Sequence, residues 1–155
     1  IYLSDDLPID ASAVAEFGSA AAARDVFVER TSKALFARTD DTRFLEVSLR
    51  SGRTEILYFG DLVSGALIDN LVQRAKESAI KRAIADGEVE AAGLRLDDLL
   101  GAVHSEYREN EVFPPSDSVA DWLTLLDYDA ENVVRVAPVT ADADRDQAAR
   151  AGTVI

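Results

Sequence analysis

Cysteine and methionine are both absent from the 155 residues, and histidine occurs once, at His104. The lack of cysteine excludes a disulfide framework and thiolate metal sites, and leaves the redox compartment open. No second histidine stands beside His104 to build an imidazole metal site. No apolar run approaches the roughly 20 residues that span a bilayer. The start, IYLSDDLPID, lacks a basic region followed by an apolar stretch, so no secretion signal is expected and cytoplasm is the default location. Basic residues are scarce as well. Sixteen Lys and Arg face 29 Asp and Glu, for a formal net charge of −13. That balance argues against independent nucleic-acid binding, which needs a basic face to neutralise phosphates, and disfavours anionic membranes. Its plain reading is solubility. Beginning at Ile1 without methionine, the sequence reads as a piece or a processed product, with missing motifs expected upstream.

Catalytic signatures are missing too. There is no Gly-x-x-x-x-Gly-Lys-Ser/Thr phosphate loop and no aliphatic strand ending in paired Asp-Glu to hold magnesium. No Gly-x-Ser-x-Gly elbow marks a nucleophile. His104 lies within a helical pattern beside Val103 and reads as a structural or surface side chain, although an imidazole is able to act as a base. Asp5-Asp6, Asp40-Asp41 and Asp97-Asp98 are adjacent pairs. Neighbours on a helix point apart, so these read as caps and solvated faces rather than acid–base pairs. No catalytic residue is expected in this stretch.

What is present is 48% hydrophobic and 29% charged, a globular balance. A chain of this length buries roughly 70% of its unfolded surface, enough for one domain or two small interleaved units. Residues 1–9 read as a helix end closed by Pro8. Asp10 caps a short helix through Phe17, and Gly18-Ser19 resets the chain. An alanine-rich helix over 20–38 carries Ala23, Val26, Phe27, Ala34 and Leu35, and Asp40-Asp41-Thr42 ends it. The period then drops to two. Leu45, Val47 and Leu49 alternate with Glu46 and Ser48, Ser51-Gly52 makes a two-residue turn, and 54–59 returns. That register sets Val47 against Ile56 and Leu45 against Tyr58 on one face, and Phe44 against Phe59 on the other.

A longer apolar stripe follows, through Leu67, Ile68, Leu71, Val72, Ala75, Ala79, Ile80, Ala83 and Ile84, with Gly87 as its cap. Another helix, from Leu96 to Glu109, turns Leu96, Leu99, Leu100, Val103 and Tyr107 inward. Pro114-Pro115 breaks it, and a short helix carries Trp122. A strand over 132–139 has Pro138 near its end, which assigns it to a sheet edge. Because an isolated hairpin is marginal, this strand is its natural partner. The last fifteen residues read as a flexible tail.

Ser64 opens the long stripe. Its hydroxyl is placed to cap the helix, leaving the first backbone N–H groups near Gly65 and Ala66 for a ligand. Gly65 has no side chain, so something flat fits against the backbone there. Several stretches then resemble one family in order over about 1–140. They are Tyr2-Leu3 with Leu7-Pro8, the run DDTRFLEVSLRSGRTEILYFGDLVSGALIDNLVQRAKESAIK from Asp40 to Lys81, Gly93-Leu94-Arg95, Glu106-Tyr107-Arg108-Glu109-Asn110-Glu111, Asp121-Trp122 and Val133-Val134-Arg135. Together they are similar to the C-terminal part of the actinobacterial proteasome-associated AAA ATPases, the ARC or mycobacterial proteasomal ATPase family. The Phe-Leu-Glu-Val hairpin joined to the Ser-Gly-Ala helix carries most of the likeness.

The resemblance implies an α+β fold: an AAA small-domain helical bundle over 1–42 and 60–113, and a β-grasp-like element over 43–59 and 114–140. A flexible tail covers 141–155. It implies the lid region of a homohexameric ATP-dependent unfoldase acting on Pup-tagged proteins. Magnesium and the phosphates would be held upstream, so this stretch alone should not hydrolyse ATP. Ser64, Gly65 and Ala66 would lie beside the adenine and ribose of ATP, with Tyr2 near the base. Proteasome-coupled members end in Gly-Gln-Tyr-Leu, whose tyrosine docks on the core particle. This chain ends Gly152-Thr153-Val154-Ile155, without ring or hydroxyl. Val154 and Ile155 are therefore the tail's partner-facing residues in a member expected to lack proteasome docking. The competing reading is a free-standing acidic α+β adaptor that docks partners through its β-edge or tail.

Overall fold

Side-chain oxygens open the first helices. Asp10 accepts from the Ser12 N–H at 3.0 Å and starts α1 (Ala11–Phe17), which Gly18 ends in the left-handed region at φ 85°. Ser19 accepts from the Ala22 N–H at 3.1 Å and starts α2 (Ala20–Leu35). Ser64 and Gly87 bound α3 (Gly65–Asp86) in the same manner, and α4 spans Leu96–Asn110. Three strands, β1 (Arg43–Leu49), β2 (Thr54–Tyr58) and β3 (Val133–Pro138), complete an α+β fold. This computed structural model describes residues 1–87, 93–110 and 132–139. The helix expected around Trp122 and the tail over 141–155 lie outside the described residues.

The helices form one unit, Ile1–Phe36 with Val63–Tyr107, and the strands a second, built on Ala37–Leu62 and the described residues after Tyr107. In the helical unit, α2 buries Ala23, Phe27, Thr31 and Leu35, one row at four-residue spacing. On α3 the buried line is Leu71, Val72, Ala75, Ala79 and Ala83. Ile80 and Ile84, expected in that stripe, are 51% and 61% exposed. The stripe read from the sequence is wider than the face the unit covers. On α4, Leu99, Ala102 and Val103 are buried together with Asp98 and Glu106, while Tyr107 is only half-buried. The inward face is thus turned toward Glu106, whose carboxylate receives the Arg74 Nε at 2.9 Å from α3.

Residues 1–9 are not a helix end. A turn at Asp5-Asp6 and an extended stretch lead to Ile9, which bridges Leu94 in parallel. The Asp10 N–H donates to the Leu94 carbonyl at 3.1 Å, and the Leu94 N–H to the Pro8 carbonyl at 2.9 Å. Gly93 permits this approach: a Cβ there would stand 2.4 Å from the Asp10 nitrogen. Arg95 Nε adds a 2.7 Å bond to the Asp10 carboxylate. Arg82 reaches from α3 to the Asp98 carboxylate and donates to the Gly93 carbonyl at 2.6 Å. The other Asp98 oxygen accepts from the Arg95 N–H at 2.8 Å, half of a capping box at the start of α4. Asp98 thus caps α4, one of the two roles read for the acidic pairs, and it is a buried ion-pair partner rather than part of a solvated face.

The sheet is antiparallel in the order β2-β1-β3, so the late strand does partner the hairpin, and Pro138 lies on an edge strand. The hairpin register differs by one residue from expectation: Val47 opposes Glu55 and Leu45 opposes Leu57. The cause is the turn. Leu49 pairs with Arg53, donating N–H to its carbonyl at 2.8 Å, and Gly52 sits at φ 84°, so the loop is Arg50-Ser51-Gly52. The Gly52 N–H closes the turn on the Leu49 carbonyl at 2.9 Å, and the left-handed glycine completes a three-residue loop. An irregularity between Arg43 and Leu45 then shifts Phe44, whose ring still meets Phe59 at 5.8 Å, edge to face. Arg38 stands 5.2 Å over the Tyr58 ring and pairs with Asp61, which also accepts the Tyr58 N–H at 3.0 Å.

Three measurements test this account. Thr31 is fully buried, and its hydroxyl has no hydrogen-bond partner among the described residues. Thr31→Val should raise the unfolding free energy by about 1 kcal/mol in denaturant titration, because an unpaired buried hydroxyl is costly. Arg82→Met leaves the Asp98 carboxylate buried without its cation and should cost about 3 kcal/mol in the same assay. For Asp10, burial raises the carboxyl pKa, but hydrogen bonds from Ser12 and Arg95 outweigh it and hold the group below its ordinary value. A lowered folded-state pKa stabilises above the ordinary carboxylate range and is lost as pH falls through the folded value. Asp10→Asn keeps a capping oxygen without the charge, so its stability should fall less steeply than the wild type's over that acid range.

Candidate functional site

The Ser64-Gly65-Ala66 turn is built by the α3 cap. Ser64 is extended at φ −106° and ψ 166°, and its Oγ accepts from the Leu67 N–H at 3.2 Å. Its carbonyl accepts from the Ile68 N–H at 3.1 Å. The N–H groups of Gly65 and Ala66, the first two of the helix, have no partner among the described residues, and all three side-chain positions are exposed. Donors at a helix start carry the positive end of the dipole and suit an electron-rich ligand atom.

Gly65 has no conformational reason to be glycine. Its φ is not positive, and a Cβ built on it meets nothing within 4 Å. Alanine favours a helix over glycine, so the residue gives up propensity at a bare, open spot. It differs in this from Gly93, which the fold requires.

Tyr2 stands elsewhere in the helical unit. Its ring is 77% exposed and lines a groove of about 420 Å³ with Leu3, Ala21, Arg24 and Val28. Ser64, Gly65 and Ala66 do not line that groove, so the structure does not bring Tyr2 and the turn into one pocket. Val154 and Ile155 lie outside the described residues. His104 is exposed on α4. Among the described residues no three His, Cys, Asp or Glu side chains gather closely enough to hold a metal ion. No helix among them is long and apolar enough to cross a membrane.

Sequence reading missed Arg24. It donates to the main-chain carbonyls of Asp5 and Leu7, the latter at 2.9 Å, and so holds the segment carrying Tyr2 against α2. An arginine seventeen residues from the carbonyl it binds leaves no periodic signal.

Comparison with known proteins gives the family. A model of the ARC, AAA+ ATPase lid domain matches residues 1–154. The chain is 42% identical over 135 residues to a proteasome-associated ATPase of Acidimicrobium ferrooxidans, covering 86% of this chain and 23% of that protein. It is 38% identical over 155 residues to a proteasome-associated ATPase of Sanguibacter keddieii, covering 99% of this chain and 26% of that one. An AAA ATPase forming ring-shaped complexes from Corynebacterium kroppenstedtii is 35% identical over 136 residues, 88% of this chain and 24% of the relative. The chain thus spans about a quarter of the length of the curated relatives it matches. With helices, hairpin and late strand all inside the match, the chain belongs to the ARC AAA+ ATPase lid-domain family.

Proposed function

We propose that this chain is the nucleotide-facing lid of a longer, ring-forming, ATP-driven protein unfoldase. The observation that carries the reading is Gly65: an exposed first helical residue that folding does not need as glycine, beside two unengaged backbone donors. A flat base or ribose fits against such a backbone, and the helix start favours its electron-rich atoms. Ser64 fixes the turn by capping it, and Ala66 keeps the approach clear. Tyr2 takes a lesser place, as an aromatic brought toward the base when the lid meets the rest of the protein.

ATP itself supplies free energy on hydrolysis by groups that this stretch lacks, since the phosphate loop and the magnesium carboxylates are absent from its sequence. The lid's part is to bind, orient and swing. Nucleotide held between it and a catalytic domain sets their angle, and loss of the phosphate relaxes it, a hinge motion that drives a pore. Within that reading the assembly is a cytoplasmic homohexamer and its substrates are Pup-tagged proteins. The relatives' printed names, a proteasome-associated ATPase and a ring-forming AAA ATPase, support the class.

Gly65 separates this from a merely structural turn. In the 155-residue chain, Gly65→Val should change the unfolding free energy by less than about 1 kcal/mol, because the site is open. In the full-length protein it should weaken ATP affinity by about tenfold, equivalent to roughly 1.4 kcal/mol, in a fluorescent-nucleotide titration. Wild-type affinity with unchanged stability would sink the lid assignment.

A further inference from the structure

One end of the sheet carries cations without counter-ions. Arg50 leads the hairpin loop, and its N–H donates to the Asn132 carbonyl at 2.7 Å, which ties the loop to the start of β3. Arg135 on β3 opposes Ser48, two residues before Arg50. Diagonal neighbours on an antiparallel pair stand about 7–8 Å apart, within reach of long side chains. Arg50 and Arg135 are both exposed, and neither makes an ion pair or a side-chain hydrogen bond among the described residues. Arg53, at the far side of the loop, is held by Glu55 at 2.8 Å. Glu46, one row along from Ser48 and opposite Ala137, pairs with neither free arginine. Next to Arg135 the register against β1 slips between Ser48 and Leu49, which leaves Val134 unopposed and 67% exposed. Bulges of this kind re-aim side chains.

We propose that this end of the sheet docks a short acidic segment of another protein chain, with carboxylates on Arg50 and Arg135 and an apolar side chain on Val134. Charge decides the occupant. Two guanidiniums stand unneutralised in a chain that holds 29 Asp and Glu against 16 Lys and Arg. A guanidinium meets a carboxylate as a fork, which gives direction as well as attraction. Two free cations neutralise few phosphates, and the net charge of −13 repels a long polyanion or a second copy more than a short segment. Val134 offers apolar contact that a simple anion cannot use.

The test uses the 155-residue chain and a labelled synthetic peptide with one leucine between two glutamate pairs, followed by fluorescence anisotropy at about 0.15 M salt to screen general attraction. Two variants of the sheet end are compared, Arg50→Gln/Arg135→Gln and Val134→Ser. A control, Lys33→Gln/Lys81→Gln, removes the same charge from exposed positions on α2 and α3. The arginine variant should lose at least about tenfold in affinity, while the control stays within about twofold. Val134→Ser, and a peptide with serine in place of leucine, should each bind about threefold more weakly.

Equal loss in the control reduces the effect to net charge and overturns the proposal. So does wild-type binding too weak to detect at about 1 mM peptide, the affinity of a contact worth only about 4 kcal/mol. Displacement of the peptide by inorganic phosphate, with Val134→Ser binding as the wild type does, assigns the site to a small anion. Self-association lost in the arginine variant assigns it to a second copy. Either outcome is also decisive against the proposal. If the double variant loses its native circular dichroism, Arg50→Gln alone, in the loop, carries the result. None of these residues belongs to the Ser64-Gly65-Ala66 turn, so this reading and the nucleotide reading fail separately.

Discussion

Two carboxylates hold the helical unit together at its least regular point. Asp10 caps α1 and receives Arg95; Asp98 opens α4 and receives Arg82 from α3. Between them runs the backbone bridge from Ile9 to Leu94, closed over Gly93 with no room for a side chain. Three helix starts or flanks thus depend on one patch of backbone. Burying Asp98 is tolerable only because a guanidinium and a main-chain N–H meet its two oxygens. Without that patch, the segment over 1–10 keeps the buried Leu3 and the Arg24 bonds to the Asp5 and Leu7 carbonyls.

The glycines divide by purpose. Gly18, Gly52 and Gly87 serve positive φ, and Gly93 serves contact. Gly65 and Gly101 serve neither, and what sets Gly65 apart is its place at a helix start beside unengaged backbone donors. A helix start with unengaged donors is common and by itself uninformative. A helix start that keeps a glycine against its own propensity, inside a chain of the AAA+ lid family, has a narrower explanation.

Local signals were legible in the sequence. Asp10, Ser19, Ser64 and Gly87 mark helix ends because capping is short-range chemistry, and strand alternation exposed β1 and its late partner. What periodicity gets wrong is rotation. The stripe through Ile80 and Ile84 counts every apolar residue, whereas packing chose the narrower line through Ala79 and Ala83. The buried positions of Thr31, Asp98 and Glu106 escaped for the opposite reason: they are polar and enter the interior through partners or neighbours distant in sequence. The hairpin slipped by one because a left-handed Gly52 turns a two-residue loop into three. Of the candidate site, the turn's capping was readable; the groove that holds Tyr2 apart from it was not, and neither was Arg24's hold on the neighbouring carbonyls, which no spacing rule reveals.

The sheet has a consequence for how the chain is made. β1 lies between β2, a few residues on, and β3, whose Ala137 opposes Glu46 from 137 − 46 = 91 positions later. Closing so long a loop costs conformational entropy that only the finished pairing returns. During synthesis from the N-terminus, the hairpin, α3 and α4 all emerge before β3 does. The central strand must therefore wait with one edge unpaired while the helical unit completes. A ribosome that stalls before Val133 releases a lid with an open strand, a natural handle for chaperones and for misassembly.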